Sequence, residues 1–99
     1  MNVIIDLSIF PMDKTGQSLS PYIARVLDVI HDSGLKHELN PMGTCIEGKW
    51  DEVMRVVDAC YRELEPDSDR IYVSIKADCR RDRRDGMDAK VRSVREKQR

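Results

Sequence analysis

The sequence predicts an α+β domain built on one four-stranded antiparallel sheet with two helices on a single face. Four stretches alternate apolar and polar residues with period two, two others place apolar residues at i, i+3, i+4 and i+7, and their order is strand, helix, strand, strand, helix, strand. With 99 residues the chain is expected to form one domain, residues 1–99.

Val3 to Phe10 reads VIIDLSIF, with Val3, Ile5, Leu7 and Ile9 on one face and Ile4, Asp6, Ser8 and Phe10 on the other. PMDKTGQ at 11–17 is a loop by its Pro, Gly and polar content. Ser20-Pro21 reads as an N-cap followed by proline in the first turn, and Ile23, Val26, Leu27 and Ile30 form the stripe of a helix ending near Gly34. Leu35 to Asn40 follows as a strand with Lys36, Glu38 and Asn40 on one side and His37 and Leu39 on the other. Pro41-Met42-Gly43 breaks it, and Thr44 to Glu47 resumes as a short strand.

The second helix spans Trp50 to Leu64, with Val53, Val57, Cys60, Tyr61 and Leu64 on its apolar stripe. Asp51 and Glu52 lie in its first turn, where the helix dipole favours acids, and Pro66 stops it. Arg70 to Asp78 (RIYVSIKAD) is the clearest strand. After CRRDRRDG at 79–86, Met87, Val91 and Val94 suggest a short terminal helix. This is the order of the ferredoxin-like split βαβ fold with a short C-terminal helix added. The first and last strands are expected side by side at the sheet's centre, with the second strand as their neighbour.

Two helices of this length cover one face of such a sheet. Alternation leaves Asp6, Ser8 and Phe10, then Tyr72, Ser74, Lys76 and Asp78, on the open face, joined by Glu38, Asn40, Met42 and Thr44. A face meeting only water is usually dominated by long charged side chains and Thr. This one mixes short hydrogen-bonding groups with Phe, Tyr and Met, as an interface or a small-molecule site does.

Composition narrows the function classes. The chain is 40% hydrophobic and 35% charged with net charge −1, a globular profile and not that of a disordered or nucleic-acid-coating chain. Residues 80–99 carry nine Lys/Arg against four Asp/Glu, or +5, so residues 1–79 carry −6. A basic tail on an acidic body fits nucleic acid or a neighbouring subunit, and the interleaved Asp78, Asp82 and Asp85 favour an ion-pair network over a phosphate grip. RNA-recognition sheets stack bases on aromatics of the central strands, and Phe10 and Tyr72 alone make a poor platform. No membrane-length apolar run and no basic-then-apolar N-terminal leader is expected, which predicts a cytoplasmic protein.

Cys45, Cys60 and Cys79 are odd in number and lack C-x-x-C spacing, so reduced thiols are expected. His31 and His37 are assigned to different elements and different faces, which leaves no nucleophile–base pair and no metal-ligand spacing. No glycine-rich phosphate loop is present. No cofactor is expected.

NPMGTCIEG at 40–48, SLSPYI at 18–23 and KADCRRDRRDGMDAKVRSV at 76–94 carry a resemblance over nearly the whole length. The chain resembles the small thiamine-binding proteins of the YkoF type, most specifically in M-G-T-x-I-E-G and D-x-R-R-D. The resemblance implies a ferredoxin-like fold, association into dimers and commonly homotetramers, and binding of thiamine or its hydroxymethylpyrimidine portion in place of catalysis. On these residues, Ser8, Glu38, Asn40 and Thr44 would meet the donors and acceptors of an aminopyrimidine. Met42 would lie near them, Glu38 or Asp6 would balance the charge of the thiazolium, and Phe10 or Tyr72 would offer it a cation–π face. Two other readings compete. The same residues could join subunits of a structural or regulatory oligomer with no metabolite, or Glu38 or Asp6 could be a general base, for which no second catalytic group is present.

Overall fold

The computed structural model describes residues 1–99. Its elements are β1 (Asn2–Pro11), α1 (Ser20–Asp32), β2 (Lys36–Asn40), β3 (Gly43–Lys49), α2 (Trp50–Leu64), β4 (Ile71–Arg80) and α3 (Gly86–Lys97), with a single 3-10 turn at Glu65–Asp67. The four strands form one sheet in the order β2-β3-β1-β4, antiparallel throughout, which is the ferredoxin-like arrangement.

The order corrects one expectation. β1 and β4 are neighbours, but β4 is an edge strand, and β2 lies at the opposite edge with β3 between it and β1. Each βαβ crossover spans one strand position, so the two crossovers interleave and push the second and fourth strands outward.

Val3, Ile5, Leu7 and Ile9 are buried under α1 and α2 as the alternation requires. Val26 and Ile30 of α1, Ile46 of β3, and Val53, Val56, Cys60 and Leu64 of α2 complete the core. Val56 replaces Val57 on the deepest stripe, and Tyr61 turns out to solvent. Burial pushes the Cys60 thiol up to about 12, so it is an inert core group. The start of α1 also differs: Leu19 is the N-cap residue, Ser20 already lies in the helix, and the Ser18 hydroxyl accepts the Ser20 N–H at 3.2 Å.

The other face is covered at one end by α3. Glu47 points there from β3 and is buried, 6% exposed. Its carboxylate accepts the N–H groups of Gly86 at 2.5 Å and Met87 at 3.3 Å, satisfying two donors that a helix start leaves without partners. A side chain at Gly86 would meet Ile4 Cδ1 at 2.9 Å and Arg83 Nε at 2.7 Å, so glycine permits this close docking. Arg83 bonds both the carboxylate and the carbonyl of Asp78 at 2.8 Å, and Asn2 holds the Arg83 carbonyl. Lys36 pairs with Asp88, and Lys90 with Asp78. Arg83 is the one arginine of the 80–84 run held in such a pair. Met87 is buried, whereas Val91 and Val94 stay exposed, so α3 is anchored through its first turn.

Two predictions follow from this anchorage. Replacing Glu47 with Ala should cost about 1.5–3 kcal/mol, the usual range for hydrogen bonds to a charged group. Amide exchange should accelerate across residues 86–97 and not in β1 or β3; unchanged protection of α3 would contradict the assignment. Arg83, and after it Lys90, hold the Asp78 carboxyl below the usual carboxylate range. Its contribution is therefore complete above the unfolded carboxylate pKa and is lost as pH falls through the lowered folded value. Acid titration should loosen residues 81–90 at lower pH in the native chain, and Asp78→Asn should be looser already at neutral pH.

Candidate ligand-binding site

The unequal lengths of β1 and β3 create a cavity under α1. The β1–β4 ladder runs the full strand to Pro11↔Ile71, but the β1–β3 ladder ends at Leu7↔Thr44. Beyond that point α1 has no β3 beneath it. The gap is a cavity of about 270 Å3, walled by Leu19 at the cap of α1 and Ile23 and Val26 within it, by Leu7 to Phe10 of β1, and by the β2–β3 hairpin from Leu39 to Thr44. It is slightly smaller than the range of about 300–1,000 Å3 typical of ligand pockets and is mostly apolar with few polar groups, as such sites usually are.

Backbone alternation adds polar groups to this wall. The Met12 N–H donates to the Arg70 carbonyl at 2.7 Å, so even-numbered positions of β1 bond toward β4 and odd-numbered ones toward β3. Ile9 is the first odd position past the end of β3, and its N–H and C=O face the gap with no strand partner. The next odd position is Pro11, which has no N–H to leave unpaired. These Ile9 groups were missed in reading the sequence, where Ile9 is one more core residue. The signal that could have found them is the disparity between a ten-residue first strand and a short third one.

The hairpin turn is Pro41-Met42, flanked by the pair Asn40↔Gly43, and neither turn residue takes a positive φ. Gly43 is needed for proximity: a Cβ there would sit 2.8 Å from Asp6 Oδ1 and 3.1 Å from Ser8 Oγ. The Ser8 hydroxyl donates to the Met42 carbonyl at 2.8 Å, tying the turn to β1, while the Met42 side chain is 88% exposed at the rim. Phe10 and Tyr72 are opposite each other and stack at 5.4 Å.

Of the six residues expected at the site, Ser8, Phe10, Asn40, Met42 and Thr44 line this one cavity. Thr44 is there by a different route. It was expected on the open face, but a two-residue turn makes Asn40 and Gly43 partners, so Thr44 pairs with Leu39 and Leu7 on the helix side, 6% exposed. Glu38 is the one residue set apart. It lines a wider groove of about 790 Å3 between the sheet and α3, with Cys45, Met87, Lys90 and Arg95. Asn40 borders both spaces, and its side-chain amide lies 3.6 Å from the Cys45 sulfur.

On the open face, register places Lys76, Asp6, Cys45 and Glu38 in one row across all four strands. Lys76 reaches Asp6 at 3.9 Å, an exposed pair. Burial, and then the carboxylates of Asp6 and Glu38, push the Cys45 thiol up, so it is not primed as a nucleophile. His31 and His37 do meet, contrary to the expectation, with ring centroids 5.8 Å apart and edges crossed. Both lie on the helix side, because His37 shares the Leu39 parity. No group of three or more His, Cys, Asp or Glu side chains converges anywhere. No helix is long and apolar enough to cross a membrane.

Comparisons with known proteins agree with this architecture. A UPF0045 protein of Synechocystis sp. is 42% identical over 95 residues, covering 95% of this chain and 78% of the relative. The crystal structure of a hypothetical protein of Methanocaldococcus jannaschii superposes with a TM-score of 0.85 at 32% identity, over 94% of this chain and 95% of that one. A Thermotoga maritima protein, whose name proposes a role in thiamine biosynthesis or salvage, superposes with a TM-score of 0.82 at 26% identity, covering 95% and 99%. The model of the family described as "Thiamine-binding protein" matches residues 5–95, and the chain belongs to that family.

Proposed function

We propose that residues 1–99 form one thiamine-binding-type domain that binds thiamine or its hydroxymethylpyrimidine portion without transforming it, as part of a cytoplasmic homo-oligomer. The observation that carries this reading is the gap beyond the end of β3, where the Ile9 N–H and C=O face an apolar cavity beside Asn40. An aminopyrimidine presents an amino donor next to a ring-nitrogen acceptor, the complement of a backbone C=O and N–H on a strand edge. Asn40 and the Thr44 hydroxyl supply further donors and acceptors, and Leu19, Ile23 and Val26 give the ring an apolar wall.

Charge divides the ligand. No carboxylate lines the cavity, so a neutral pyrimidine ring suits it and a thiazolium cation does not. Glu38 lies across Asn40 in the adjoining groove, with Asp6 in its row on the sheet. In this reading the thiazolium lies toward Glu38, with the pyrimidine in the cavity. Lys76 lies 3.9 Å from the Asp6 carboxylate in an exposed pair, which leaves Glu38 as the carboxylate of this row for the thiazolium. The absence of an activated thiol and of a paired general acid and base near the cavity supports binding over catalysis.

Calorimetric titration tests the reading. Both thiamine and hydroxymethylpyrimidine should release or absorb heat and raise the melting temperature. Asn40→Ala should weaken both by about tenfold, as expected for one or two lost hydrogen bonds. Glu38→Gln should weaken thiamine and spare the neutral pyrimidine. No heat and no thermal shift at millimolar ligand would contradict the proposal.

A further inference from the structure

The groove between the sheet and α3 is roomier than a thiazolium ring requires. It measures about 790 Å3, against about 270 Å3 for the cavity beyond β3. α3 is held at its first turn, and Val91, one turn further on, is already half exposed. Charge describes the space that is left. The lining holds three carboxylates, Glu38, Asp88 and Glu96, and three cations, Lys90, Arg92 and Arg95. Two of these are neutralised within the fold, Asp88 by Lys36 and Lys90 by Asp78. Glu38, Glu96, Arg92 and Arg95 have no ion-pair partner. Arg92 stays unpaired even though Glu96 is its i+4 neighbour on the helix, a spacing that allows such a pair. Free charges of both signs suit a ligand that is itself both cationic and anionic. A purely cationic thiazolium would satisfy Glu38 and leave two guanidinium groups facing a like charge.

Element geometry sets the two signs on opposite walls. The Lys36–Asp88 pair fixes the first turn of α3 beside the start of β2. From Asp88 to Arg92 and Arg95 a helix rises about 6 Å and about 10 Å, and from Lys36 to Glu38 and Asn40 a strand rises about 7 Å and about 13 Å. Those rises are similar, and all four residues line the one groove: Glu38 and Asn40 in its sheet wall, Arg92 and Arg95 in its helix wall.

We infer that the groove recognises a phosphate ester on the hydroxyethyl arm of the thiazolium, with Arg92 and Arg95 as the phosphate-binding residues, so that thiamine monophosphate is the preferred ligand. The inference rests on the reading above, in which the pyrimidine occupies the cavity beside Asn40 and the thiazolium lies toward Glu38. The hydroxyethyl arm leaves the thiazolium on the side away from the pyrimidine and extends further into the groove. A phosphate monoester at its end is close to doubly charged at neutral pH and offers three strong acceptor oxygens. A guanidinium meets two such oxygens with parallel N–H donors. Glu38 then balances the thiazolium and the two arginines balance the phosphate. Glu96 is exposed in the last turn of α3 and stays in water.

Calorimetric titration at low ionic strength tests this with four ligands: thiamine, thiamine monophosphate, hydroxymethylpyrimidine and its phosphate ester. Thiamine monophosphate should bind about tenfold more tightly than thiamine, and the gain should shrink as salt is added. The pyrimidine phosphate should bind no more tightly than the free pyrimidine, because its phosphate would lie beside Glu38, where the thiazolium otherwise sits. The double variant Arg92→Gln, Arg95→Gln lies beyond the anchoring turn of α3 and should keep the native circular dichroism spectrum. It should lose the gain from the phosphate and bind thiamine at least as tightly as the native chain does. Heat from thiamine with no gain for its monophosphate, a gain that survives in the double variant, or an equal gain for the pyrimidine phosphate would overturn the inference and leave the reading of the site standing. No heat from any of the four ligands would overturn both.

Discussion

The site depends on a mismatch in strand length. β1 must run ten residues to support both β4 and the two helices, whereas β3 is limited by the hairpin that begins at Asn40. Where β3 ends, a β1 backbone segment is left unpaired inside the molecule, under a helix whose apolar stripe continues past the sheet. Burying such groups without partners is costly, so the segment is either solvated or occupied. Pro11 removes one of the donors, and the Ser8 bond to the Met42 carbonyl closes the turn against the strand. What is left over is a donor and an acceptor on Ile9, aimed at a space the size of a small heterocycle.

The second constraint is that two helices shield one face of the sheet. This chain covers part of the other face with α3, and the hold is electrostatic more than apolar: a buried carboxylate, Glu47, receives the start of the helix. The M-G-T-x-I-E-G block thus has distinct physical tasks along its length. Met42 and Gly43 shape the turn against β1, Thr44 lines the cavity, Ile46 enters the core and Glu47 holds α3.

Much of this was legible in the sequence. The faces of β1 and α2 follow directly from alternation and helical spacing, because Val3, Ile5, Leu7 and Ile9, or Val53 and Leu64, have one geometrically consistent side to bury. Parity failed at Thr44 because phase does not carry through a turn: two turn residues reverse the chain and restart the alternation at Gly43. The edge position of β4 was hidden because its sequence is as apolar as that of a central strand. Glu47 looked like an ordinary strand carboxylate, since the helix it receives lies 39 residues later in the chain. The meeting of His31 and His37 and the free Ile9 backbone likewise depend on strand register and tertiary packing, which no local pattern records.

The most direct test follows backbone amide resonances of the isotopically labelled protein during titration with hydroxymethylpyrimidine. The Ile9 amide should show the largest shift and gain exchange protection, together with the Asn40 side-chain amide and the Thr44 amide. A ligand that instead perturbs Asp6, Glu38 and Cys45, while leaving Ile9 and Thr44 unmoved, would show that recognition occurs on the open sheet face and that the gap beyond β3 is not the binding site.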